Sequence, residues 1–170
     1  YKRCQKKWLK MSFKIKKNFL TPEEYLPLKN ILESSDFPWF FQKRSVKDVD
    51  NKFDFYFCHT FYINDTIHSE YFSLLKPIIK KLKSISLIRI KANLTLISPT
   101  SIKSASHYDQ DFDCKVALYY LNTNNGYTGL GKEKVKAVEN TIVLFNSDVE
   151  HYATTCTDKQ KRITLNFNYV

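Results

Sequence analysis

The feature that most restricts the fold is a change of pattern at residue 86, after which apolar and polar residues alternate in short runs to the end of the chain. Alternation with a period of two is typical of β-strands that are buried on one face. Asn124-Asn125-Gly126 and Asp158-Lys159 supply turn residues between the runs. Such a succession of short antiparallel strands favours a sandwich or a barrel closed around itself. Strands are predicted at 88–96, 116–122, 135–138, 141–145, 151–155 and 162–170.

The first half of the chain contains the helical signals. Thr21-Pro22-Glu23-Glu24 combines an N-cap threonine, a proline at the first helical position and the glutamate of a capping box, so a helix is predicted to begin there. Ser34-Ser35-Asp36 is predicted to end it. A second helical stretch is predicted over roughly 69–84, where Pro77 either kinks the helix or restarts it.

Two more strands are predicted in this half, a first one at 13–19 and another at 52–63. Helices followed by a run of strands predict an α+β fold that is mainly β. A chain of 170 residues and 20.1 kDa has the size of a single domain. Within it, 1–20 is predicted to be a basic arm with the first strand, 21–85 a helical flanking region and 86–170 the β core.

The net charge of +10 is unevenly distributed along the chain. Residues 1–20 hold eight of the 27 basic residues and no acidic one, so 21–170 carries only +2. This basic arm leaves nucleic acid open as a partner. No apolar run suits a secretory signal or a membrane span, so no membrane partner and a cytoplasmic location, the host cytoplasm for a viral protein, are expected. Met11 is either an internal residue or the natural start, which leaves open whether 1–10 belong to the natural protein.

His107-Tyr108-Asp109 is the first part of a candidate metal site. In an extended strand, His107 and Asp109 point to the same face, so an imidazole and a carboxylate can meet at one point. His151 begins a separate predicted strand that a barrel can lay across the same cavity. Two histidines and one carboxylate that leave coordination positions open form the facial triad associated with non-haem Fe(II) oxygenases, so iron is the implied metal.

Arg162 follows His151 by 11 residues, across a predicted hairpin that can bring its side chain into the same cavity. Its planar guanidinium suits a carboxylate ligand, which it can bind through two parallel hydrogen bonds. The remaining histidines, His59 and His68, fit no part of this arrangement and are predicted to be solvated or satisfied in the core. The four cysteines form no C-x-x-C pair and are predicted to be reduced structural thiols.

The C-terminal 65 residues carry a resemblance to a known family. They read SHYDQDF…VALYYLN…NNGYTGL…NTIVLFNSDVEH…R-x-T-L-N-F-N-Y and resemble the 2-oxoglutarate- and Fe(II)-dependent oxygenases. The likeness is to prolyl-4-hydroxylase-like members, particularly small uncharacterised ones of phage. It extends over nearly the whole chain after Met11, since three earlier stretches are also similar: FLTPEEY…LKNILESSDFPWFF, FDFYFCHTFY and LIRIKANL.

The resemblance implies a double-stranded β-helix with flanking helices and an iron site. Its three metal ligands map onto His107, Asp109 and His151, which are also the catalytic residues that it implies. The cosubstrate 2-oxoglutarate and O2 would complete the reaction centre.

The resemblance also implies which residues bind the cosubstrate. Arg162 matches the basic residue for the distal carboxylate of 2-oxoglutarate, and Thr164 matches the hydroxyl residue two positions later. Tyr119 is placed like a cosubstrate-binding tyrosine, although Tyr120 competes for that role. Two polar residues in otherwise apolar strands, Asn93 and Asn168, are further candidates to line the cavity as supporting or substrate contacts.

The implied function is hydroxylation of an unactivated C–H, with a prolyl or other peptide substrate favoured over a small molecule. A nucleic-acid oxidative dealkylase is an alternative, suggested by the basic arm. Such enzymes usually carry a second arginine six residues after the first, where this chain has Asn168. A second alternative keeps the fold but makes it a catalytically idle binding module.

Overall fold

The computed structural model describes residues 13–43 and 55–170. The predicted basic arm therefore lies outside the described residues over 1–12, as do the start of the strand predicted at 52–63 and Cys4. Cys58, Cys114 and Cys156 have free thiols. No helix of the described ranges is long and apolar enough to cross a lipid bilayer.

Among the described residues of the first half of the chain, two helices and one 3₁₀ turn form. Helix α1 spans Pro22–Glu33, and Thr21 and Glu24 form the predicted capping box. The second helical stretch is divided into a 3₁₀ turn over Glu70–Leu75 and helix α2 over Lys76–Leu82, so Pro77 restarts the helix rather than kinking it. Proline is tolerated in this first turn because no hydrogen bond is lost there.

Eleven strands are present among the described residues, and they confirm that the fold is mainly β. In chain order they are β1 Lys14–Lys17, β2 Phe40–Lys43, β3 Phe55–Ile63, β4 Thr66–Ile67, β5 Leu87–Leu96, β6 Lys115–Tyr120, β7 Tyr127–Leu130, β8 Glu133–Lys136, β9 Thr141–Asn146, β10 His151–Ala153 and β11 Lys161–Tyr169. The sequence pattern did not predict β2, β4 or β7.

The strands form two antiparallel sheets. The larger sheet has the order β1-β9-β6-β11-β5-β3-β2, with β4 paired to β3, and the smaller sheet has the order β10-β7-β8. Because side chains alternate along each strand, one face of the larger sheet carries Ile163, Leu165 and Phe167 of β11 and packs against the helices. The other face packs against the smaller sheet through Leu118 and Val143. The site lies on this second face.

Gly129 illustrates how tightly the smaller sheet is covered on its outer side. A Cβ atom at Gly129 would overlap the ring of Tyr152, which lies on the neighbouring strand β10 and directly opposite in the register. The ring is also held by Lys103, whose Nζ lies 3.9 Å from its centroid, and contacts Tyr127. Glycine at this position therefore makes room for the tyrosine.

We expect Gly129→Ala to lower the free energy of unfolding by about 1–3 kcal/mol, because the added methyl group must displace the Tyr152 ring. Chemical denaturation measures this change. The matched test is the double variant with Tyr152→Ala, in which the added methyl group meets no ring and the cost of the glycine replacement disappears. A cost that persists without the ring would show that Gly129 is needed for another reason.

Candidate metal centre

His107 and His151 are brought together by a short antiparallel bridge. The His107 amide donates to the His151 carbonyl at 2.9 Å, and the His151 amide donates to the His107 carbonyl at 3.0 Å. The two imidazole ring centroids are 4.5 Å apart. His151 begins β10 and is buried, whereas His107 is exposed. The backbone therefore fixes one pair of nitrogen donors at the mouth of the space between the sheets.

Asp109 completes a group of three potential metal ligands. One ligand atom from each of His107, Asp109 and His151 lies within 4.8 Å of the other two. Asp109 Oδ2 and His151 Nε2 are 3.7 Å apart, which is beyond hydrogen-bonding distance. The structure thus brings together the three residues that the sequence singled out.

The hydrogen bonds of the two histidines present their Nε2 atoms as acceptors. His107 Nδ1 lies 3.2 Å from the Ala105 carbonyl, and His151 Nδ1 lies 3.1 Å from the Val149 carbonyl. A carbonyl only accepts, so each Nδ1 carries the proton and each Nε2 keeps its lone pair. Burial lowers the pKa of His151 below its ordinary value despite the nearby Asp109, which favours the neutral ring that a metal requires.

Asp109 is surrounded by hydrogen-bond donors. Arg89 Nη2 donates to Oδ1 at 3.0 Å, and the amides of Asn166 and Asn168 donate to Oδ2 at 2.9 and 3.3 Å. Burial acts to raise the pKa of Asp109, but His151, Asn166 and Arg89 together outweigh it and hold the pKa below its ordinary value. The carboxylate is therefore anionic near neutral pH.

A cavity of about 320 Å³ lies beside the three residues, with His107 in its wall. Lys43, Lys91 and Arg162 also line it, and no Asp or Glu is among its described lining residues. Thr95 faces Arg162 across strands β5 and β11, and its buried hydroxyl has no hydrogen-bond partner within the described part of the chain. A cationic cavity with an unused hydroxyl suits an anionic ligand.

Arg162 and Thr164 both lie where the sequence analysis expected them. They follow each other on one face of β11, are buried, and line the cavity. Arg162 Nη2 donates to Thr128 Oγ1 at 3.1 Å, and the Tyr120 hydroxyl donates to the same oxygen at 2.8 Å. The guanidinium is thereby held at the wall of the cavity by a residue of the smaller sheet.

Tyr119 needs a correction, because its side chain is on the wrong side of the sheet for the predicted role. It belongs to the core between the larger sheet and the helices, and its hydroxyl donates to Asn140 Oδ1 at 2.9 Å. Tyr120 faces the smaller sheet instead, and its ring centroid lies 5.7 Å from Arg162 Cζ. Of the two competing tyrosines, Tyr120 is therefore the one next to the cavity.

This correction gives a paired test with two conservative variants. We expect Tyr120→Phe to raise the KM for 2-oxoglutarate by about two- to tenfold, because its hydroxyl donates to Thr128, which also holds Arg162, and a hydrogen bond between uncharged groups contributes about 0.5–1.5 kcal/mol. Tyr119→Phe is expected to leave this KM unchanged and to cost about 1 kcal/mol of stability through the lost bond to Asn140. Steady-state kinetics and chemical denaturation separate these effects. A KM that rises only for Tyr119→Phe would restore the original assignment.

The other polar residues singled out from sequence are also accounted for. Asn93 lines the cavity, whereas the Asn168 amide contacts Asp109. His59 is satisfied in the core, where Pro38 O and Ser69 Oγ lie 2.8 Å from its two ring nitrogens, and His68 is exposed.

Sequence reasoning missed four polar residues of the site: Arg89, Thr95, Thr128 and Asn166. The alternation of side chains along a strand is the signal that could have indicated three of them. Arg89 and Thr95 occupy the same alternate positions of β5 as Asn93, and Asn166 lies between Thr164 and Asn168 on one face of β11.

Comparison with known proteins rests on structure. No family model matches the sequence, and no curated protein matches it significantly. A prolyl hydroxylase from Trichoplax adhaerens, solved with a peptide fragment of the hypoxia-inducible factor oxygen degradation domain, superposes with a TM-score of 0.66 and 15% identity over 94% of this chain and 84% of its own. The epimerase SnoN, a non-haem α-ketoglutarate-dependent enzyme of nogalamycin biosynthesis, superposes with a TM-score of 0.68 and 13% identity over 94% of this chain and 78% of its own.

A third similar structure is the viral collagen prolyl hydroxylase of Paramecium bursaria chlorella virus-1, in a truncated form. It superposes with a TM-score of 0.57 and 14% identity over 93% of this chain and 90% of its own. The chain therefore has the double-stranded β-helix fold of the 2-oxoglutarate- and Fe(II)-dependent oxygenases. The similar structures include both prolyl hydroxylases and an epimerase, so they confirm the resemblance at the level of the fold, and they do not support the likeness to phage proteins.

Proposed function

We propose that this protein is a non-haem Fe(II)- and 2-oxoglutarate-dependent dioxygenase that hydroxylates an unactivated C–H bond. The observation that carries the proposal is the position of the three candidate ligands beside a cationic cavity, with His107 in its wall. His107 belongs both to the group of potential ligands and to the lining of that cavity. A metal held there and an anion in the cavity would be neighbours.

The residues present fit Fe(II). His107 and His151 offer neutral imidazole nitrogens and Asp109 offers an anionic oxygen, which is the donor set typical of non-haem iron oxygenases. The hydrogen bonds from both Nδ1 atoms to backbone carbonyls fix the orientation of the rings, as is usual for metal-bound histidines.

The residues present also fit 2-oxoglutarate. In our proposal, Arg162 and Thr164 bind its distal carboxylate, the unpartnered Thr95 hydroxyl adds a third donor, and Tyr120 supports Arg162 through Thr128. Bound Fe(II), with 2-oxoglutarate and O2, supplies the oxidising power for hydroxylation and yields succinate and CO2. The chain itself binds and orients these groups from residues of differing exposure, since Arg162 and His151 are buried whereas His107 is exposed.

A peptidyl substrate, prolyl in the first instance, is favoured because two of the similar structures are prolyl hydroxylases, one of them solved with a peptide. A small-molecule substrate is the next candidate, since the SnoN epimerase shares the fold. The dealkylase alternative is weakened by Asn168, whose amide is already engaged with Asp109 and Asn166 and whose Oδ1 accepts from Gln110. The nucleic-acid partner rests on the basic arm alone.

Anaerobic titration tests the proposal directly. We expect addition of 2-oxoglutarate to the Fe(II)-loaded protein to produce the visible charge-transfer absorption of a chelated cosubstrate. Subsequent exposure to O2 with proline-containing peptides, free amino acids or methylated oligonucleotides should release succinate with only one of these classes, and we expect the peptides. Stimulation by oligonucleotides alone would favour the dealkylase. Absence of both colour and metal uptake would instead favour an idle binding module.

A further inference from the structure

The carboxylate of Asp109 has more hydrogen-bond partners than a ligand needs to be oriented. It accepts one bond at Oδ1, from Arg89, and two at Oδ2, from Asn166 and Asn168. The donors come from two adjacent strands, since Arg89 is on β5 and the two asparagines are on β11. We call these three residues the carboxylate clamp.

The clamp is itself held in place by a chain of amides. Gln110 Nε2 donates to Asn168 Oδ1 at 3.1 Å, and Asn168 Nδ2 donates to Asn166 Oδ1 at 3.0 Å. The amide oxygens of Asn166 and Asn168 each accept a bond, so these two amide groups are fixed with their nitrogens toward Asp109. Asn166 and Asn168 are buried, which excludes water as a competing partner.

The number of acceptor sites on Asp109 gives the clamp a specific consequence. An ionised carboxylate offers about four lone-pair sites, and the clamp occupies three of them. We infer that the clamp restricts Asp109 to a single bond with the metal and so keeps open a coordination position that the cosubstrate needs. This inference rests on the proposed function and assigns Arg89, Asn166 and Asn168 as positioning residues.

The open position matters because 2-oxoglutarate chelates through two atoms and O2 needs a further place on the same ion. A carboxylate that binds through both oxygens takes one of these places. Loss of a clamp residue frees a lone-pair site on Asp109 and allows that second bond. The expected defect is thus in chelation of the cosubstrate rather than in uptake of the metal.

The test compares Asn166→Val with Asn166→Thr, two β-branched side chains of the same shape that suit a strand and differ in one hydroxyl. Metal affinity is measured by anaerobic Fe(II) titration, and cosubstrate affinity by the charge-transfer absorption on adding 2-oxoglutarate. Neither readout needs turnover. We expect Asn166→Val to weaken 2-oxoglutarate binding by about tenfold or more while its Fe(II) affinity changes less than threefold. Asn166→Thr keeps a donor toward Asp109 and is expected to restore the wild-type value.

A residue that only kept Asp109 in place would give a different pattern. If Asn166→Val weakened Fe(II) and 2-oxoglutarate binding equally, or if Asn166→Thr failed to restore binding, the inference would be wrong. Unchanged affinity for both ligands in Asn166→Val would also overturn it. Should the valine variant fail to fold, Arg89→Met removes the donor to Oδ1 from the partly exposed side of the site and is expected to show the same selective loss.

The outcome also separates this inference from the proposed function. Wild-type protein that binds Fe(II) and 2-oxoglutarate upholds the function, whatever the variants do. Wild-type protein that binds neither would overturn both.

Discussion

Replacing any one of the three candidate ligands with alanine is expected to lower 2-oxoglutarate-dependent succinate release by at least about a hundredfold. His107, Asp109 and His151 each contribute one donor atom to a group that spans no more than 4.8 Å. Two remaining ligands hold a divalent ion much more weakly than three. Asp109→Ala also removes the only carboxylate of the group, and with it the charge that offsets the metal.

The control for this series is His68→Ala, which removes an exposed histidine outside the group. We expect this variant to keep wild-type turnover and wild-type Fe(II) binding. Succinate release and metal content after dialysis are measured for all four proteins, and near-UV circular dichroism shows that each is folded. Wild-type-like succinate production by the His107 or Asp109 variant would contradict the ligand assignment.

The proximity of the candidate ligands His107 and Asp109 could be predicted from sequence because it is local. His107 and Asp109 are two residues apart, and that spacing alone places both side chains on one side of an extended chain. Helix α1 was predictable for the same reason. Thr21 and Glu24 mark its start, and the side chain of each accepts a hydrogen bond from the backbone amide of the other. Short-range rules suffice wherever the partners are neighbours in the chain.

The tyrosine assignment failed because alternation along a strand does not say which face is the interior. Tyr119 and Tyr120 are both fully buried, one beneath the helices and the other between the sheets. A strand that is covered on both faces is apolar throughout, so its pattern contains no signal for the choice. Only the pairing of β6 with β11, in which Thr164 lies opposite Tyr120, shows which of the two tyrosines is on the cavity side of the sheet.

Two of the three clamp residues, Arg89 and Asn166, were not predicted from the sequence, for a different reason. Asn166 is 57 residues from Asp109 in sequence, and the two meet only because β11 pairs with β5 beside the loop that carries Asp109. Asn166 and Asn168 stand at alternate positions of an otherwise apolar strand, which predicts a polar patch on one face but not the group it serves. Strand pairing over such distances has to be observed.

Arg162→Met is the second change for which a large effect is expected. It should raise the KM for 2-oxoglutarate by about a hundredfold or more, because truncating one partner of a buried charge pair costs about 2–5 kcal/mol. Metal binding is expected to be unaffected, since Arg162 is not among the candidate ligands. Steady-state kinetics and anaerobic Fe(II) titration measure the two quantities.

Two further variants show whether the geometry of the guanidinium matters as well as its charge. Arg162→Lys keeps the charge but loses the planar fork, and we expect a KM between those of the wild type and Arg162→Met. Lys161→Met removes the neighbouring charge, whose Nζ donates to the Glu33 carbonyl at the end of α1, and is expected to leave the KM unchanged. If Lys161→Met raised the KM as much as Arg162→Met, general positive charge rather than a carboxylate site would explain the cosubstrate affinity. If Arg162→Met left the KM unchanged, the distal carboxylate would have to bind elsewhere in the cavity, and Lys43 would be the next candidate.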